Sequence, residues 1–112
     1  MERQTKLELI PIELLTKAAD CLKVMAHPVR LRIVDILMQG DFSVREIAHI
    51  CEIPENQVCE HLRHMQTCGY LDSQREGRTV HYRITSQQLP SLIQCVKSHC
   101  RLESGETNNG EL

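Results

Sequence analysis

Apolar residues recur at helical spacing in the middle of the chain, directly after a capping signal. Ser43 can accept a hydrogen bond at the start of a helix, and Glu46, three residues later, completes an S-x-x-E capping box. Ile47 and Ile50 then supply an apolar face. Pro54 ends this pattern, because proline has no amide hydrogen and disfavours helical geometry in the residue before it. The sequence therefore predicts a short helix between Ser43 and Pro54.

A second helix is predicted directly beyond this break. Apolar residues resume at Val58, Leu62 and Met65, and Gly69 is the residue type that most readily adopts the left-handed conformation at a helix end. Two helices joined by so short a turn form a helix-turn-helix, whose second helix can project into the major groove of DNA. The outward positions predicted for this helix are polar: Asn56, Gln57, Glu60, His61, Arg63 and His64.

The segment after the second helix predicts a β-hairpin. Residues 79–84 alternate between polar and apolar with a period of two, which is typical of a half-buried strand. Gly77 lies where the tip of a hairpin needs a residue that tolerates positive φ. The hairpin would form a wing beside the helix-turn-helix, with Arg75 and Arg78 near its tip.

Both ends of the folded region predict amphipathic helices. Pro11 suits the first turn of a helix with two apolar stripes roughly 100° apart, and a third stripe lies around Pro90 in the last helix. Because one small domain rarely needs so much apolar surface, we expect the terminal helices to form a dimer interface; a larger core within one subunit is the alternative. The stripes are Ile12, Leu15, Ala19 and Leu22; Leu14, Ala18, Cys21 and Met25; and Leu89, Leu92, Ile93, Val96 and Cys100.

Length and composition limit the class of protein. A chain of 112 residues fits one domain, which we place at residues 11–102, between an N-terminal arm (1–10) and an acidic tail (103–112) expected to be disordered. With no signal peptide and no long apolar run, we expect a cytoplasmic protein without a membrane partner, whose six cysteines are reduced thiols. No activated nucleophile, phosphate-binding glycine loop or persuasive carboxylate pair indicates an enzyme.

Charge is the main evidence against DNA binding. The formal net charge is −2, and the four arginines between Pro54 and Arg83 are matched by four acidic residues. Binding to phosphate must therefore rely on the local arrangement of the arginines rather than on overall attraction.

Four segments, taken together, resemble the ArsR/SmtB-type winged-helix repressors of bacteria. The resemblance covers about residues 18–101 and implies a mainly α fold with a small β-hairpin wing, a winged helix-turn-helix in the order α-α-α-α-β-β-α. It also implies a homodimer that binds a palindromic operator in double-stranded DNA and leaves it when an inducer binds. The segments are Met25 to Val34, Val58-x-x-His61-Leu62, Cys68-Gly69-Tyr70-Leu71 and Glu76-Gly77-Arg78-x-Val80-x-Tyr82.

The predicted helix-turn-helix and wing lead to a set of DNA contacts. The amides of Asn56 and Gln57 can pair with adenine edges in the major groove, and arginines on the same surface can contact phosphate. The full predicted DNA-binding set is Ser43, Asn56, Gln57, His61, Arg63, Arg75 and Arg78.

Two pairs of soft ligands lie four residues apart, a spacing that puts both donors on one face of a helix. His64 and Cys68 lie at the end of the recognition helix, and Cys95 and His99 lie in the last helix. Neither pair is a complete four-ligand site. They suggest release from DNA by a soft divalent metal ion or a thiol-reactive inducer. The alternative is a protein-interaction module, or a constitutive DNA binder, with no inducer site and no cofactor.

Overall fold

The computed structural model describes residues 6–100. The helices and the hairpin follow the predicted order, with one additional short strand. Residues 1–5 of the predicted arm, the last two residues of the predicted domain and the whole acidic tail lie outside the described residues. The elements are α1 (Ile12–Met25), α2 (Pro28–Leu37), β1 (Phe42–Ser43), α3 (Val44–Cys51), α4 (Glu55–Thr67), β2 (Leu71–Glu76), β3 (Thr79–Ile84) and α5 (Gln88–His99).

The additional strand, β1, precedes the helix-turn-helix and was not predicted. Phe42 pairs with Tyr82 and Ser43 pairs with His81, which gives an antiparallel sheet in the order β1-β3-β2. Two residues are too few to show the alternation that identifies a strand in a sequence. The pairing fixes the start of α3 against the wing, because Ser43 both ends β1 and caps α3.

The predicted wing is confirmed as a hairpin of β2 and β3 that closes at a two-residue turn. Leu71 pairs with Ile84 at its base, and Glu76 pairs with Thr79 at its tip. Gly77 has a φ of 66°, and the turn types favoured in such hairpins require a positive φ at this first central position.

The core forms where α2, α3, α4 and α5 meet. Its fully buried side chains come from all four helices. The largest of these side chains are Ile33, Val34, Ile47, Val58, Leu62, Met65 and Leu89. Separately, no helix among residues 6–100 is long and apolar enough to span a lipid bilayer.

Helix α3 buries a different apolar face from the one predicted. Ile47 is fully buried, but Ile50 is 46% exposed. The inward arc runs through Val44, Ile47, Ala48 and Cys51, which follow the i, i+3, i+4, i+7 spacing of one helical face. Ile50 lies outside that arc, so its expected place on the buried face is wrong.

Helix α1 leaves most of its apolar surface uncovered within the chain. Met25, in its last turn, is its only buried residue, whereas Ile12 is 67% exposed and Leu22 is 58% exposed. In contrast, Leu89 and Ile93 of α5 are buried within the same chain. The alternative of a larger core within one subunit therefore applies to part of α5 and not to α1.

Candidate DNA interface and inducer site

The helix-turn-helix begins at a complete capping box. The hydroxyl of Ser43 accepts a hydrogen bond from the amide of Glu46 at 3.2 Å, and the carboxylate of Glu46 accepts one from the amide of Ser43 at 2.8 Å. The bond from the Ser43 amide is the main reason why the pKa of Glu46 lies below its ordinary value, and His81 adds a smaller electrostatic contribution. Among residues 6–100 the hydroxyl of Ser43 donates no hydrogen bond, so its proton is available to another group.

The turn between the two helices contains a left-handed residue that is not glycine. Glu52 has a φ of 59° and follows the last residue of α3. The amides of Glu52 and Ile53 donate to the carbonyls of His49 and Ala48, at 3.3 and 3.2 Å, and so close the helix. Pro54 then precedes the first turn of α4, as its missing amide hydrogen allows.

The recognition helix α4 separates an apolar face from a polar one. Val58, Leu62 and Met65 are fully buried, whereas Asn56 and Gln57 are exposed. At its end the amide of Gly69, which has a φ of 81°, donates to Gln66, and the amide of Tyr70 donates to Met65. This Schellman motif ends the helix where the glycine was predicted to end it.

Apart from Arg45, the arginines on this surface form no ion pair with acidic residues among residues 6–100. Within residues 6–100, the one ion pair joins Arg45 Nε to Glu55 Oε2 at 3.9 Å, and both side chains are exposed. Arg63, Arg75 and Arg78 are exposed and have no ion-pair partner among the described residues. Their charges are therefore available to phosphate, despite the net negative charge of the chain.

A cleft lies between the start of α3, the first turns of α4 and the tip of the wing. Arg45 lines one wall and Arg78 lines the other, with Ser43, Glu55 and Cys59 between them. Arg45 was not among the predicted DNA contacts. Its position two residues after the capping serine, at the exposed start of the first helix of the motif, is the sequence signal that indicates it.

The expectation that His61 faces outward is wrong. Its side chain is half-buried and turns towards α2, where its Nδ1 accepts a hydrogen bond from Arg30 Nε at 3.0 Å. The ring of His27 packs edge-on against it, with 4.7 Å between ring centroids and an interplanar angle of 63°. Burial, followed by the positive charge of Arg30 and the neighbouring His27, lowers the pKa of His61.

The spacing of His61 along the helix indicates this orientation. His61 lies three residues after Val58 and four before Met65, so it shares the edge of the buried stripe rather than the polar face. The polarity of histidine predicts the outward side, whereas its place in the helical pattern indicates the inward one.

Of the two candidate inducer pairs, Cys95 and His99 lie together on the exposed surface of α5. Cys95 Sγ lies 3.5 Å from His99 Nδ1, and the same nitrogen lies 3.1 Å from the Cys95 carbonyl oxygen. Both side chains are exposed, so a soft ion can reach them.

The second candidate pair is arranged differently. His64 is exposed, but Cys68 is half-buried and lies beside the thiol of Cys21 from α1. Burial and then the Cys21 thiol raise the pKa of Cys68. Among residues 6–100 no group of three or more histidine, cysteine or acidic side chains is arranged to hold a metal ion.

Comparisons with known proteins point to one family. Residues 27–73 match the model of the arsR family of bacterial regulatory proteins. The biofilm growth-associated repressor of Agrobacterium fabrum is 32% identical over 81 residues, which cover 72% of this chain and 69% of that protein. The transcriptional repressor SmtB of Mycobacterium tuberculosis is 30% identical over 89 residues, which cover 80% of this chain and 66% of that repressor.

A solved structure extends this similarity over nearly the whole chain. It is the homodimeric winged helix-turn-helix DNA-binding domain of a possible ArsR-family regulator from Mycobacterium bovis. The match has a TM-score of 0.73 at 25% identity and covers 94% of this chain and 99% of that domain. The relatives named here are regulators of transcription, not enzymes.

Proposed function

This chain belongs to the arsR family of bacterial regulatory proteins, and we propose that it is a dimeric repressor that leaves a palindromic operator when an inducer binds. The observation that carries the proposal is the exposed polar face of α4, flanked by arginines without ion-pair partners among residues 6–100. The named relatives support the term repressor. We place the protein in the bacterial cytoplasm, with the DNA that it would regulate.

Within this proposal, base reading and phosphate contact come from different elements. Asn56 and Gln57, in the first turn of α4, would enter the major groove and read base edges. Arg63 in α4 and Arg75 and Arg78 in the wing would contact phosphates, and Arg45 joins them at the cleft. Ser43 would donate its free hydroxyl proton to a phosphate there. His61 is left out of the contact set because its side chain is half-buried and is held towards α2 by the bond from Arg30.

The proposed partner of α1 is a second copy of this chain. Ile12 and Leu22 are mostly exposed, and residues 8–12 with Leu15 line an apolar groove along its start. The relative from Mycobacterium bovis, which this chain covers almost completely, is a homodimer. Two recognition helices related by a two-fold axis would then meet half-sites about one helical turn of DNA apart, roughly 34–36 Å.

The proposed inducer is a soft metal ion or a thiol oxidant. Cys95 is the preferred trigger, because its exposed thiol and His99 already form a close pair on α5. Cys68 is the competing trigger, and its neighbour Cys21 would serve as second ligand more readily than the exposed His64. A coupling of roughly 1–3 kcal/mol, about 5- to 150-fold in affinity, is enough for regulation.

A constitutive DNA binder is the second candidate function. It is favoured by one observation, namely that residues 6–100 hold no cluster of three metal-binding side chains. In that case neither Cys95 with His99 nor Cys68 with its neighbours would affect DNA binding.

An electrophoretic shift with the promoter region of the chain's own gene tests these proposals. We expect the wild type to bind this DNA and to be released by at least one of Cd(II), Zn(II), As(III) or polysulfide. Cys95→Ser should abolish the response, whereas Cys51→Ser, which removes a thiol of α3, is the matched control. Release that depends on Cys68 instead would select the competing trigger.

Two outcomes would contradict these proposals. If the wild type binds but no treatment changes its affinity, the protein is a constitutive binder. If the protein does not bind that promoter and selects no duplex from a random library, it is a protein-interaction module instead.

A further inference from the structure

Arg30 connects three helices through a single guanidinium group. It lies in α2, and its Nη1 donates to the carbonyl of Val24 in the last turn of α1 at 3.1 Å. Its Nε donates to Nδ1 of His61 in the recognition helix at 3.0 Å. The planar guanidinium holds these donors in a fixed relation, so the two bonds restrict where α4 lies relative to α1.

His27 makes a second contact with His61. Its Nδ1 accepts a hydrogen bond from the amide of Val29 at 3.1 Å and caps α2. The same ring packs edge-on against His61. His61 therefore contacts both Arg30 and His27, which lie at the start of α2.

The bond from Arg30 defines the protonation state of His61. A nitrogen that accepts a hydrogen bond carries no proton, so His61 is neutral and holds its proton on Nε2. The groups that face it are Arg30 and His27 from the α2 side, and Glu60 and His64 on α4 itself. Adding a proton to Nδ1 would place two donors against each other and break the bond.

We propose that Arg30 and His61 position the recognition helix for DNA binding, and that protonation of His61 releases it from this position. The proposal rests on the DNA-binding function given above. The packing of Val58, Leu62 and Met65 keeps α4 in the fold in either state, because these side chains are fully buried in the core. The pair is therefore a positioning device for α4 and makes no contact with DNA itself.

The direction of the pH effect follows from the lowered pKa of His61. Above the ordinary imidazole pKa of about 6.5, both folded and unfolded chains carry a neutral ring, and the contact is intact. As the pH falls below that value, the unfolded chain binds the proton first, so the free energy of unfolding decreases. The loss is complete once the pH lies below the pKa of His61 in the folded protein. Operator affinity should fall over the same range as the contact opens.

The test uses the 112-residue chain and two conservative variants. His61→Gln retains a side-chain acceptor that cannot gain a proton, and Arg30→Lys retains the charge but loses the guanidinium that serves both bonds. The matched control is His49→Gln, because His49 is an exposed histidine of α3 that lies outside this contact. Affinity for a duplex selected by the wild type from a random library, and the melting temperature without DNA, are measured between about pH 5.5 and pH 7.5.

We expect the wild type and His49→Gln to lose affinity and melting temperature on acidification, whereas His61→Gln shows a flatter profile for both quantities. Other titrating groups contribute equally to both proteins, so the difference between the profiles of His61→Gln and the wild type is the informative quantity. At pH 7.5, Arg30→Lys should bind roughly tenfold more weakly, as expected for loss of a hydrogen bond from a charged group.

Two results would overturn the proposal. One is a profile for His61→Gln that is the same as that of the wild type in both measurements. The other is Arg30→Lys that remains folded at the assay temperature and binds with unchanged affinity, which would leave Arg30 with a purely structural role. The melting profiles require no DNA, so they test the contact even if the proposed DNA-binding function fails.

Discussion

Helices α1 and α4 carry similar apolar patterns but use them in opposite ways. In α4, Val58, Leu62 and Met65 are fully buried within the chain. In α1, only Met25 is buried. Leu22, which belongs to one of the apolar stripes of this helix, is 58% exposed. An apolar stripe therefore predicts that a helix will be covered, but not whether its own subunit or a second one covers it.

The largest expected effect separates the two helices by the same substitution. Leu62→Ala should lower the free energy of unfolding by about 2–5 kcal/mol, because it removes buried methyl groups and leaves a cavity. Leu22→Ala is the matched control, since the same atoms are lost from a surface that is open within one chain. Thermal unfolding at several protein concentrations checks this.

The comparison predicts how each effect varies with concentration. The loss caused by Leu22→Ala should depend on protein concentration, because it acts through association. The loss caused by Leu62→Ala should persist at every concentration at which the chain is folded. Equal, concentration-independent losses for both variants would mean that α1 is covered within its own subunit.

The elements with strong local signals were predicted correctly. These signals act through neighbouring backbone atoms, so their effect can be derived from a few residues. They are the capping box at Ser43, the break at Pro54 and the left-handed conformation of Gly69. The hairpin was predicted for the same reason, because Gly77 and the alternation after it are local features.

The features that were missed depend on contacts between distant segments. Strand β1 exists because Phe42 meets Tyr82, forty residues later in the chain. The polar type of His61 predicts a place facing solvent, but Arg30 gives it a half-buried hydrogen-bond partner 31 residues away. Cys68 was paired with His64 by spacing, and the structure places it beside Cys21. Helical periodicity gives the direction of a side chain, not the identity of its partner.

The second prediction tests whether a second copy covers α1. Leu22→Glu should convert the dimer to a monomer and weaken operator binding by roughly a hundredfold, because a charge is placed in an apolar contact and each subunit alone reaches one half-site. Lys17→Gln changes the net charge by the same amount on the polar side of α1 and serves as the control. Light scattering and operator titration measure both variants.

The choice of residue matters for this test. Leu92 of α5 is half-buried and packs against the subunit core, so a charge there would disturb folding as well as association. Leu22 is free of that complication. A Leu22→Glu variant that stays dimeric, or a wild type that is monomeric at micromolar concentration, would contradict the proposed role of α1.

The smallest effect concerns the polar faces of the same two helices. Arg63 on α4 and Lys17 on α1 are both exposed cations, and neither has an ion-pair partner among residues 6–100. If α4 lies in the groove and α1 faces away from it, only Arg63 contacts phosphate.

Arg63→Ala should therefore weaken binding to all sequences and reduce the slope of log K against log salt by about one per subunit. Lys17→Ala should leave that slope unchanged, because an exposed charge beyond a Debye length of about 10 Å from the DNA is largely screened. Titrations at several salt concentrations compare the two slopes. Equal reductions would show that α1 also faces the DNA, and would contradict the claim that only α4 contacts it.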